Sequence, residues 1–385
     1  MKTIVFIFGT RPEAIKMAPV IRALHACAGV CVKIVVTAQH RDLLDQAMTV
    51  FGLTPDLDLD LMTPNQTLPA LTARAIERLS AAFAELQPAL VFVQGDTTST
   101  FAGALSAFYA KVPVAHLEAG LRTYDRANPY PEEMNRVLTT HLAAYHFAPT
   151  QQAARNLARE GIAPEAVYVV GNTGIDALLA VARDDTTPAP KEVAALWSGS
   201  PRMLFVTAHR RENHGPAMQD IARILSSLVR THPDVCVVLP MHPNPNVVSV
   251  LKQLAHEPRI HVLDHVDYRT CVHLMQHCYF VLTDSGGLQE EAPALGKPVL
   301  VLRKTTERPE GVAGGTARLV GTDPATVLAA ADELLNDAAA YARMAHAVNP
   351  YGDGRASERI VAVVRRVLLN DPSARCEEFA PARGA

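Results

Sequence analysis

The sequence predicts an α/β protein built from two Rossmann-like domains that face a central cleft. Three observations support this fold class. Short apolar runs alternate with helical patterns along most of the chain, the alternation starts again near Val170, and 385 residues are too many for one compact core. Polar residues follow most of the apolar runs, so they should collect at the carboxyl ends of parallel strands, where such sheets bind ligands.

The first half of the chain alternates strands with helices. The predicted strands are TIVFIF, VKIVVTAQ, ALVFVQGD and VPVAHLEAG. Among the helices, PEAIKMAPVIRAL carries Pro12 at a position that suits a first helical turn, and TTSTFAGALSAFYA begins with threonines that can cap it. This alternation indicates a parallel sheet that is covered on both faces.

The pattern restarts at AVYVVGN and TGIDALLAVA, and a loose stretch rich in Pro, Thr and Asp follows. Six more strand-like runs come next: MLFVTAH, VCVVLPMHP, IHVLDH, YFVLTDSGG, PVLVLR and ARLVGTD. We therefore predict domains at 1–170 and 171–352. We also predict a C-terminal helix at 353–370 that packs back on the first domain, and a flexible tail at 371–385.

Composition excludes several classes of protein. The formal net charge is −3, so no basic excess points to nucleic acid or to an anionic membrane as a partner. The six cysteines form no CxxC pair, which indicates reduced thiols in a cytoplasmic protein and no metal site. Arg11 and Pro12 interrupt the first apolar run before it reaches the length of a signal sequence, and no run is long enough to span a bilayer.

A glycine pair at a predicted strand-to-helix turn indicates phosphate binding. In LTDSGGLQEE, Ser285 can cap the helix, and Gly286 and Gly287 let a ligand approach the free N–H groups of its first turn. Glu291 lies about 9 Å further along the helix, which matches the distance from a diphosphate to a ribose. The structural alternative is a tight turn followed by a solvated face formed by Glu290 and Glu291.

Cations follow several other predicted strands. Arg11 sits at the first strand-to-helix turn with Lys16 one turn later, and His209, Arg210 and Arg211 follow the MLFVTAH strand. Each could be an ordinary surface residue, but clusters at several strand ends favour a bound diphosphate. Two further cationic candidates also follow strands, His242 and Arg308.

Three carboxylates in the first half could carry protons. Asp96 and Glu118 end predicted strands, and Glu132 begins a predicted helix. An acid at the end of a buried strand is poorly solvated, so its pKa should be shifted and it could act as a general acid or base. Asp96 could instead be a helix N-cap and Glu132 an ordinary first-turn residue, whereas Glu118 has no equally simple structural explanation.

A family resemblance extends over residues 1–365. The motifs that carry it include GTRPEAIKMAPVI, QGDTTST, HLEAGLRT, PEEMNR, HRREN, HPNPNV, DSGGLQEEAPALGKPV and TTERPE. Together they resemble the non-hydrolysing UDP-N-acetylglucosamine 2-epimerases. The resemblance implies a GT-B fold and the interconversion of UDP-GlcNAc and UDP-ManNAc without an added cofactor or metal.

The resemblance also implies roles for individual residues. The predicted catalytic residues are Asp96, Glu118, Glu132 and His209. The predicted UDP- and substrate-binding residues are Arg11, Lys16, Arg210, His242, Ser285, Gly286, Gly287, Glu291 and Arg308. Bacterial members of the family can be activated by substrate at a second site, and the residues that match that site in part are Gln39, His40 and Gln66.

Other functions remain open at this stage. A glycosyltransferase would use the same UDP site but needs an acceptor site. A hydrolysing epimerase would release free ManNAc, and a related epimerase would act on a 3-acetamido uronic-acid UDP-sugar. A UDP-sugar-binding module would not need three carboxylates. We expect a homodimer whose product enters cell-surface polysaccharide synthesis.

Overall fold

The computed structural model describes residues 1–37, 41–63, 66–196, 202–242, 244–264 and 266–381. The chain forms two compact units. Unit 1 contains Met1–Ala177 and Gly352–Ala380, and unit 2 contains Leu178–Tyr351. The division falls inside a helix, after the boundary near Val170 that the sequence indicated. No helix in the described ranges has both the length and the apolar character needed to cross a membrane.

Unit 1 contains, in its described residues, a seven-stranded sheet in which every pairing is parallel. The strand order is β3-β2-β1-β4-β5-β6-β7, so the direction of winding reverses at β1 and β4. Ligands bind at such a reversal, outside the carboxyl ends of the strands. The strands are β1 Lys2–Phe8, β2 Val30–Val36, β3 Leu57–Asp58, β4 Leu90–Gln94, β5 Val114–Leu117, β6 Tyr145–Ala148 and β7 Val167–Val169.

Helices connect the strands of this sheet. Pro12 lies in the first turn of the first helix, and Thr97 caps the fourth by accepting a hydrogen bond from Thr100 N at 3.1 Å. Both features match the sequence prediction. The helices are α1 Arg11–His25, α2 Arg41–Phe51, α3 Leu68–Leu86, α4 Thr98–Tyr109, α5 Glu132–Leu142, α6 Gln151–Arg159 and α7 Thr173–Ala182.

Unit 2 contains a parallel sheet of six strands in its described residues, in the order β10-β9-β8-β11-β12-β13. The winding reverses here at β8 and β11. The strands are β8 Arg202–Thr207, β9 Val235–Pro240, β10 Ile260–Leu263, β11 Phe280–Thr283, β12 Val299–Val301 and β13 Ala317–Leu319. The helices are α8 Lys191–Ala194, α9 Pro216–Thr231, α10 Pro245–Leu251, α11 Tyr268–His277, α12 Gly286–Ala294, α13 Pro309–Ala313, α14 Pro324–Asn336 and α15 Ala338–Ala345.

The two predicted parallel sheets are confirmed, with differences at the first sheet. The structure adds the strands β3 and β6, which the apolar pattern did not indicate. The run AVYVVGN, where the pattern seemed to restart, supplies β7 at the edge of the first sheet. The short YHFA segment becomes a strand because its backbone pairs with both β5 and β7, which is a tertiary contact.

The C-terminal segment returns to unit 1. Helix α16, Ala356–Leu368, packs against α1, and Asp176 of α7 caps it by accepting hydrogen bonds from Ala356 N at 3.2 Å and Ser357 N at 2.7 Å. Residues 371–380 belong to the segment that we predicted as a flexible tail. In the structure, Phe379 is buried and its N–H donates to Val169 O at 2.7 Å. Burial of this aromatic ring and its backbone hydrogen bond therefore anchor the segment at Phe379.

Aromatic rings pack against one another in the core of unit 1. Phe6 and Phe92 stack with ring centroids 4.7 Å apart, and Phe147 lies 5.9 Å from Phe92. All three side chains are almost fully buried. Each contributes about 1.5–3 kcal/mol through burial, so this core fixes the strands whose ends carry the polar residues described below.

We predict that Gly120→Ala destabilises unit 1 by about 3 kcal/mol or more, through steric overlap and backbone strain. Gly120 has φ +90°, and a Cβ there would lie 2.3 Å from Ala153 O. The matched control is Gly161→Ala, since Gly161 has φ +79° but no atom within 4 Å of such a Cβ. Urea unfolding measures both variants, and an equal loss of stability would contradict the predicted overlap.

Candidate active site

A buried carboxylate organises the turn that follows β1. Glu13 is 1% exposed, and its Oε2 accepts hydrogen bonds from Gly9 N at 3.0 Å and Thr10 N at 2.8 Å. Its Oε1 accepts one from the Thr97 hydroxyl at 2.7 Å, which ties this turn to the turn after β4. Burial raises the pKa of Glu13, and these hydrogen bonds lower it in part. Arg11 begins α1 directly after the turn.

Glu118 occupies a strained position at the end of β5. Its φ is +60°, in the left-handed region that residues with a Cβ seldom adopt and that often marks functional sites. Lys16 forms an ion pair with one carboxylate oxygen, and the Gln94 amide donates to the other. The Glu118 side chain is 10% exposed, so two donors hold a nearly buried carboxylate in one orientation.

Asp96 lies just beyond the end of β4 and is partly buried. Burial raises the pKa of its carboxyl from 3.8 to about 6, with the Arg136 guanidinium opposing the shift and Glu118 adding to it. Arg136 Nε is 3.5 Å from Asp96 Oδ2 and 3.1 Å from Glu133 Oε2. A carboxyl with a pKa near neutrality can both take up and release a proton at physiological pH.

The structure also bears on the structural alternatives for Asp96 and Glu132. Thr97, and not Asp96, is the N-cap of α4, so the capping alternative for Asp96 is wrong. Glu132 is the first residue of α5, and its charge also raises the pKa of Asp96. Unit 1 thus brings together Lys16, Asp96 and Glu118, with Glu132 close enough to influence Asp96 electrostatically.

In unit 2, a second buried carboxylate organises the turn after β8. Asp284 follows β11 and is fully buried, and its Oδ2 accepts hydrogen bonds from His209 N at 2.8 Å and Arg210 N at 2.9 Å. The amide of Asn213 donates to the same oxygen at 3.0 Å. The His209 ring stacks on His242 with centroids 5.2 Å apart, so residues from three strand ends meet here.

The N-terminus of α12 lies beside two guanidinium groups. A Cβ added at Gly286 would lie 3.6 Å from Cζ of Arg308 and 3.7 Å from Nη2 of Arg210. The free N–H groups of the helix start and these two cations form a site suited to an anion. Ser285 holds the N-cap position, but within the described residues its hydroxyl makes no capping bond, so that part of the prediction is wrong.

The two glutamates of α12 have different surroundings. Glu290 is 5% exposed and forms an ion pair with Arg308, so the solvated-face alternative is wrong for this residue. Glu291 is half-buried, and the Tyr268 hydroxyl lies 3.5 Å from its Oε1. Glu291 is therefore placed along the same helix as Gly286, as the sequence predicted.

Sequence reasoning missed several residues that hold the candidate site in place. Each lies one to four residues from a predicted residue in the same motif, as in QGD, DSGG and QEE, and that proximity was the only available signal. They are Glu13, Gln94, Arg136, Asp284 and Glu290.

The predicted second substrate site stays a prediction. Gln39 and His40 lie outside the described residues. Gln66 lies in the described part, where its side-chain oxygen accepts hydrogen bonds from Arg74 and from Thr63 N, the latter at 3.3 Å. The side-chain oxygen of Gln66 thus holds its own loop together.

We predict that Asp96→Asn makes the fold more stable at pH 8, by about 1 kcal/mol after allowance for the partly exposed carboxyl. Because the pKa of Asp96 is about 6 in the fold and 3.8 ordinarily, its stabilising contribution is complete below pH 3.8 and is lost as pH rises through 6. Urea unfolding from about pH 4 to pH 8 measures this slope, which lies between pH 3.8 and about 6. An unchanged slope in the variant would show that Asp96 is not the group responsible.

Comparisons with known proteins agree with the fold of two parallel-sheet units. The family model described as UDP-N-acetylglucosamine 2-epimerase matches residues 22–365. The UDP-N-acetylglucosamine 2-epimerase of Escherichia coli K12 is 48% identical over 366 residues, which cover 93% of this chain and 97% of that protein. The Neisseria meningitidis UDP-GlcNAc 2-epimerase, solved with UDP-GlcNAc, is 43% identical with a TM-score of 0.87, covering 96% of this chain and all of that one. S. aureus MnaA, solved with UDP, is 44% identical with a TM-score of 0.88, covering 99% and 100%. The chain belongs to the UDP-N-acetylglucosamine 2-epimerase family.

Proposed function

We propose that this protein interconverts UDP-GlcNAc and UDP-ManNAc by inverting the configuration at C2 of the sugar, without an added cofactor. The observation that carries the proposal is the pair of carboxylates in unit 1: Glu118 held by Lys16 and Gln94, and Asp96 with a pKa near 6. A protein that only binds a UDP-sugar has no need for two such groups. Family membership supports the same substrate.

The C2 hydrogen of this sugar is not adjacent to a carbonyl group, so direct deprotonation gives no stabilised anion. We propose elimination instead. A base removes the C2 proton, the C–H electron pair forms the C1–C2 double bond, and the C1–O bond breaks with its electron pair leaving on UDP. The intermediate is a 2-acetamidoglucal. UDP then adds back at C1 while a proton reaches C2 from the opposite face.

Unit 2 is suited to stabilise the departing UDP. The charge that develops on the leaving phosphate would face the N-terminus of α12, Arg210 and Arg308, with His209 as a further donor. Preorganised donors of this kind stabilise a transition state because they need not reorient as charge develops. Glu291, further along α12, would hold the ribose hydroxyls.

Unit 1 is suited to move the proton. Inversion at C2 needs one group to remove the proton from one face and another to deliver a proton to the other face. Asp96 and Glu118 are the two best-placed candidates, with Glu132 as a third carboxylate, because Glu118 and Glu132 both contribute to the raised pKa of Asp96. Arg11, at the start of α1, would add positive charge near the substrate.

A hydrolysing epimerase is the second candidate function. It would use the same residues and release free ManNAc and UDP, because water would attack in place of UDP. Product analysis separates the two activities.

We further propose a homodimer that works in the cytoplasm and supplies polysaccharide synthesis. Phe108 and Tyr109, at the end of α4, are 57% and 65% exposed, and apolar surface of this kind favours a protein partner. The six free cysteines fit a reducing compartment. Light scattering on a sizing column would measure the mass, and a monomer at micromolar concentration would contradict the dimer.

We predict that incubation with UDP-GlcNAc in heavy water gives UDP-ManNAc with deuterium at C2. The C2 proton is lost to a carboxylate and replaced from solvent in this mechanism, and proton NMR follows both events. Free ManNAc would favour the hydrolysing activity. Unchanged UDP-GlcNAc without exchange would favour a binding module.

We predict that Glu118→Gln lowers kcat by at least about 100-fold, because an amide can neither remove nor deliver the proton. The Kd for UDP should stay within about two-fold, since the residues proposed to face the leaving phosphate and the ribose all belong to unit 2. Steady-state kinetics and calorimetric titration measure the two effects. Glu77→Gln, at an exposed position on α3 of the same unit, is the matched control. A large loss of UDP affinity would place Glu118 in nucleotide binding instead.

A further inference from the structure

The backbone of Arg308 is held by a buried tyrosine from a distant part of the chain. Tyr351 is 3% exposed, and its hydroxyl donates a hydrogen bond to Arg308 O at 3.0 Å. The same hydroxyl accepts a hydrogen bond from Gly311 N at 2.7 Å. One oxygen atom therefore fixes both the residue before α13 and the first turn of that helix.

A neighbouring side chain contacts the ion-pair partner of Arg308. The Asn349 amide donates to Glu290 O at 3.1 Å, and its oxygen accepts a hydrogen bond from Tyr351 N at 3.0 Å. Residues 349–351 thus hold the backbone of both Glu290 and Arg308, whose side chains pair with each other. Tyr351 is also the last residue of unit 2 before the chain enters unit 1.

The contact between Gly311 and the Tyr351 hydroxyl depends on a small residue at position 311 and on a protonated hydroxyl. A Cβ at Gly311 would lie 2.9 Å from the Tyr351 hydroxyl, so glycine is needed for the close approach. Burial raises the pKa of Tyr351, with the charges of Glu290 and Glu310 adding to the effect, so the hydroxyl keeps its proton and remains a donor. Its removal would leave Gly311 N buried without this acceptor, and an unsatisfied buried N–H group is destabilising.

We propose that Tyr351 is a positioning residue for Arg308, and that it sets where the guanidinium stands beside the N-terminus of α12. Asn349 has the same role for Glu290. The inference rests on the proposed function, in which Arg308 contacts the diphosphate of the substrate. The affinity for this diphosphate then depends on the Tyr351 hydroxyl, which does not contact the diphosphate. A small displacement of the guanidinium weakens a charge-assisted hydrogen bond steeply.

Tyr351→Phe tests the proposal. We expect the Kd for UDP, measured by calorimetric titration, to rise about ten-fold, and kcat/KM to fall mainly through KM. The matched control is Tyr341→Phe, because the Tyr341 hydroxyl also donates to a backbone carbonyl of unit 2, Tyr279 O at 2.9 Å. Tyr341 packs near the start of β11, at the opposite end of that strand from Asp284, so UDP affinity should not change. Equal effects of both variants on UDP affinity would overturn the proposal.

A double-mutant cycle with Arg308→Ala separates this inference from the proposed function. If Arg308 contacts the diphosphate, Arg308→Ala alone weakens UDP binding, and Tyr351→Phe adds less than two-fold in that background. An unchanged Kd for Arg308→Ala would contradict the proposed role of Arg308 itself. A weakened Arg308→Ala variant combined with a full additive effect of Tyr351→Phe would contradict only the positioning role.

Asn349→Ala keeps the test decisive if Tyr351→Phe does not fold. It removes the donor to Glu290 O and the acceptor for Tyr351 N, while the tyrosine ring stays in the core. We expect a smaller rise in the Kd for UDP, about three-fold, that again disappears in the Arg308→Ala background. A fall in unfolding temperature with unchanged UDP affinity would show that residues 349–351 have only a structural role.

Discussion

Parallel strand pairing is the constraint on which the rest of this structure depends. Because every observed pairing in the two sheets is parallel, the carboxyl ends of all strands in a unit lie at one edge. The winding reverses once in each sheet, at β1 and β4 in unit 1 and at β8 and β11 in unit 2. The turns after these strands, and after the adjacent β5, β9 and β12, carry most of the candidate residues. Residues far apart in the chain, such as Lys16 and Glu118, therefore become neighbours without any special loop.

In each unit, a buried carboxylate connects the turns that follow two neighbouring strands. In unit 1, Glu13 accepts hydrogen bonds from backbone amides after β1 and from a hydroxyl after β4. In unit 2, Asp284 follows β11 and accepts hydrogen bonds from backbone amides after β8. Each carboxylate joins the turns that flank the reversal of winding. Hydrogen bonds to both oxygens of Glu13 and to Oδ2 of Asp284 offset the cost of burying each acid. We assign neither residue to the chemistry.

The residues assigned to chemistry sit in less favourable surroundings. Glu118 adopts a strained backbone conformation, and Asp96 carries a carboxyl whose charged form the fold disfavours. Both features cost stability, and the surrounding core has to offset that cost. The stacked rings of Phe6, Phe92 and Phe147 lie in strands of the same sheet, and their burial contributes part of the stability that offsets this cost.

The sequence by itself determined the class of fold, most of the strands and the main candidate residues, because these depend on local patterns. Apolar runs of strand length, helical periodicity and a glycine pair before a helix can all be read within a few residues. Tertiary structure alone decided the pairing that makes β6 a strand and the burial of Phe379 and Glu290. It also decided the hydrogen bond from the Tyr351 hydroxyl to Arg308 O. It also decided the pKa of Asp96 and the strain at Glu118. These features arise from neighbours that are distant in sequence, and a single sequence does not record which distant residues will meet.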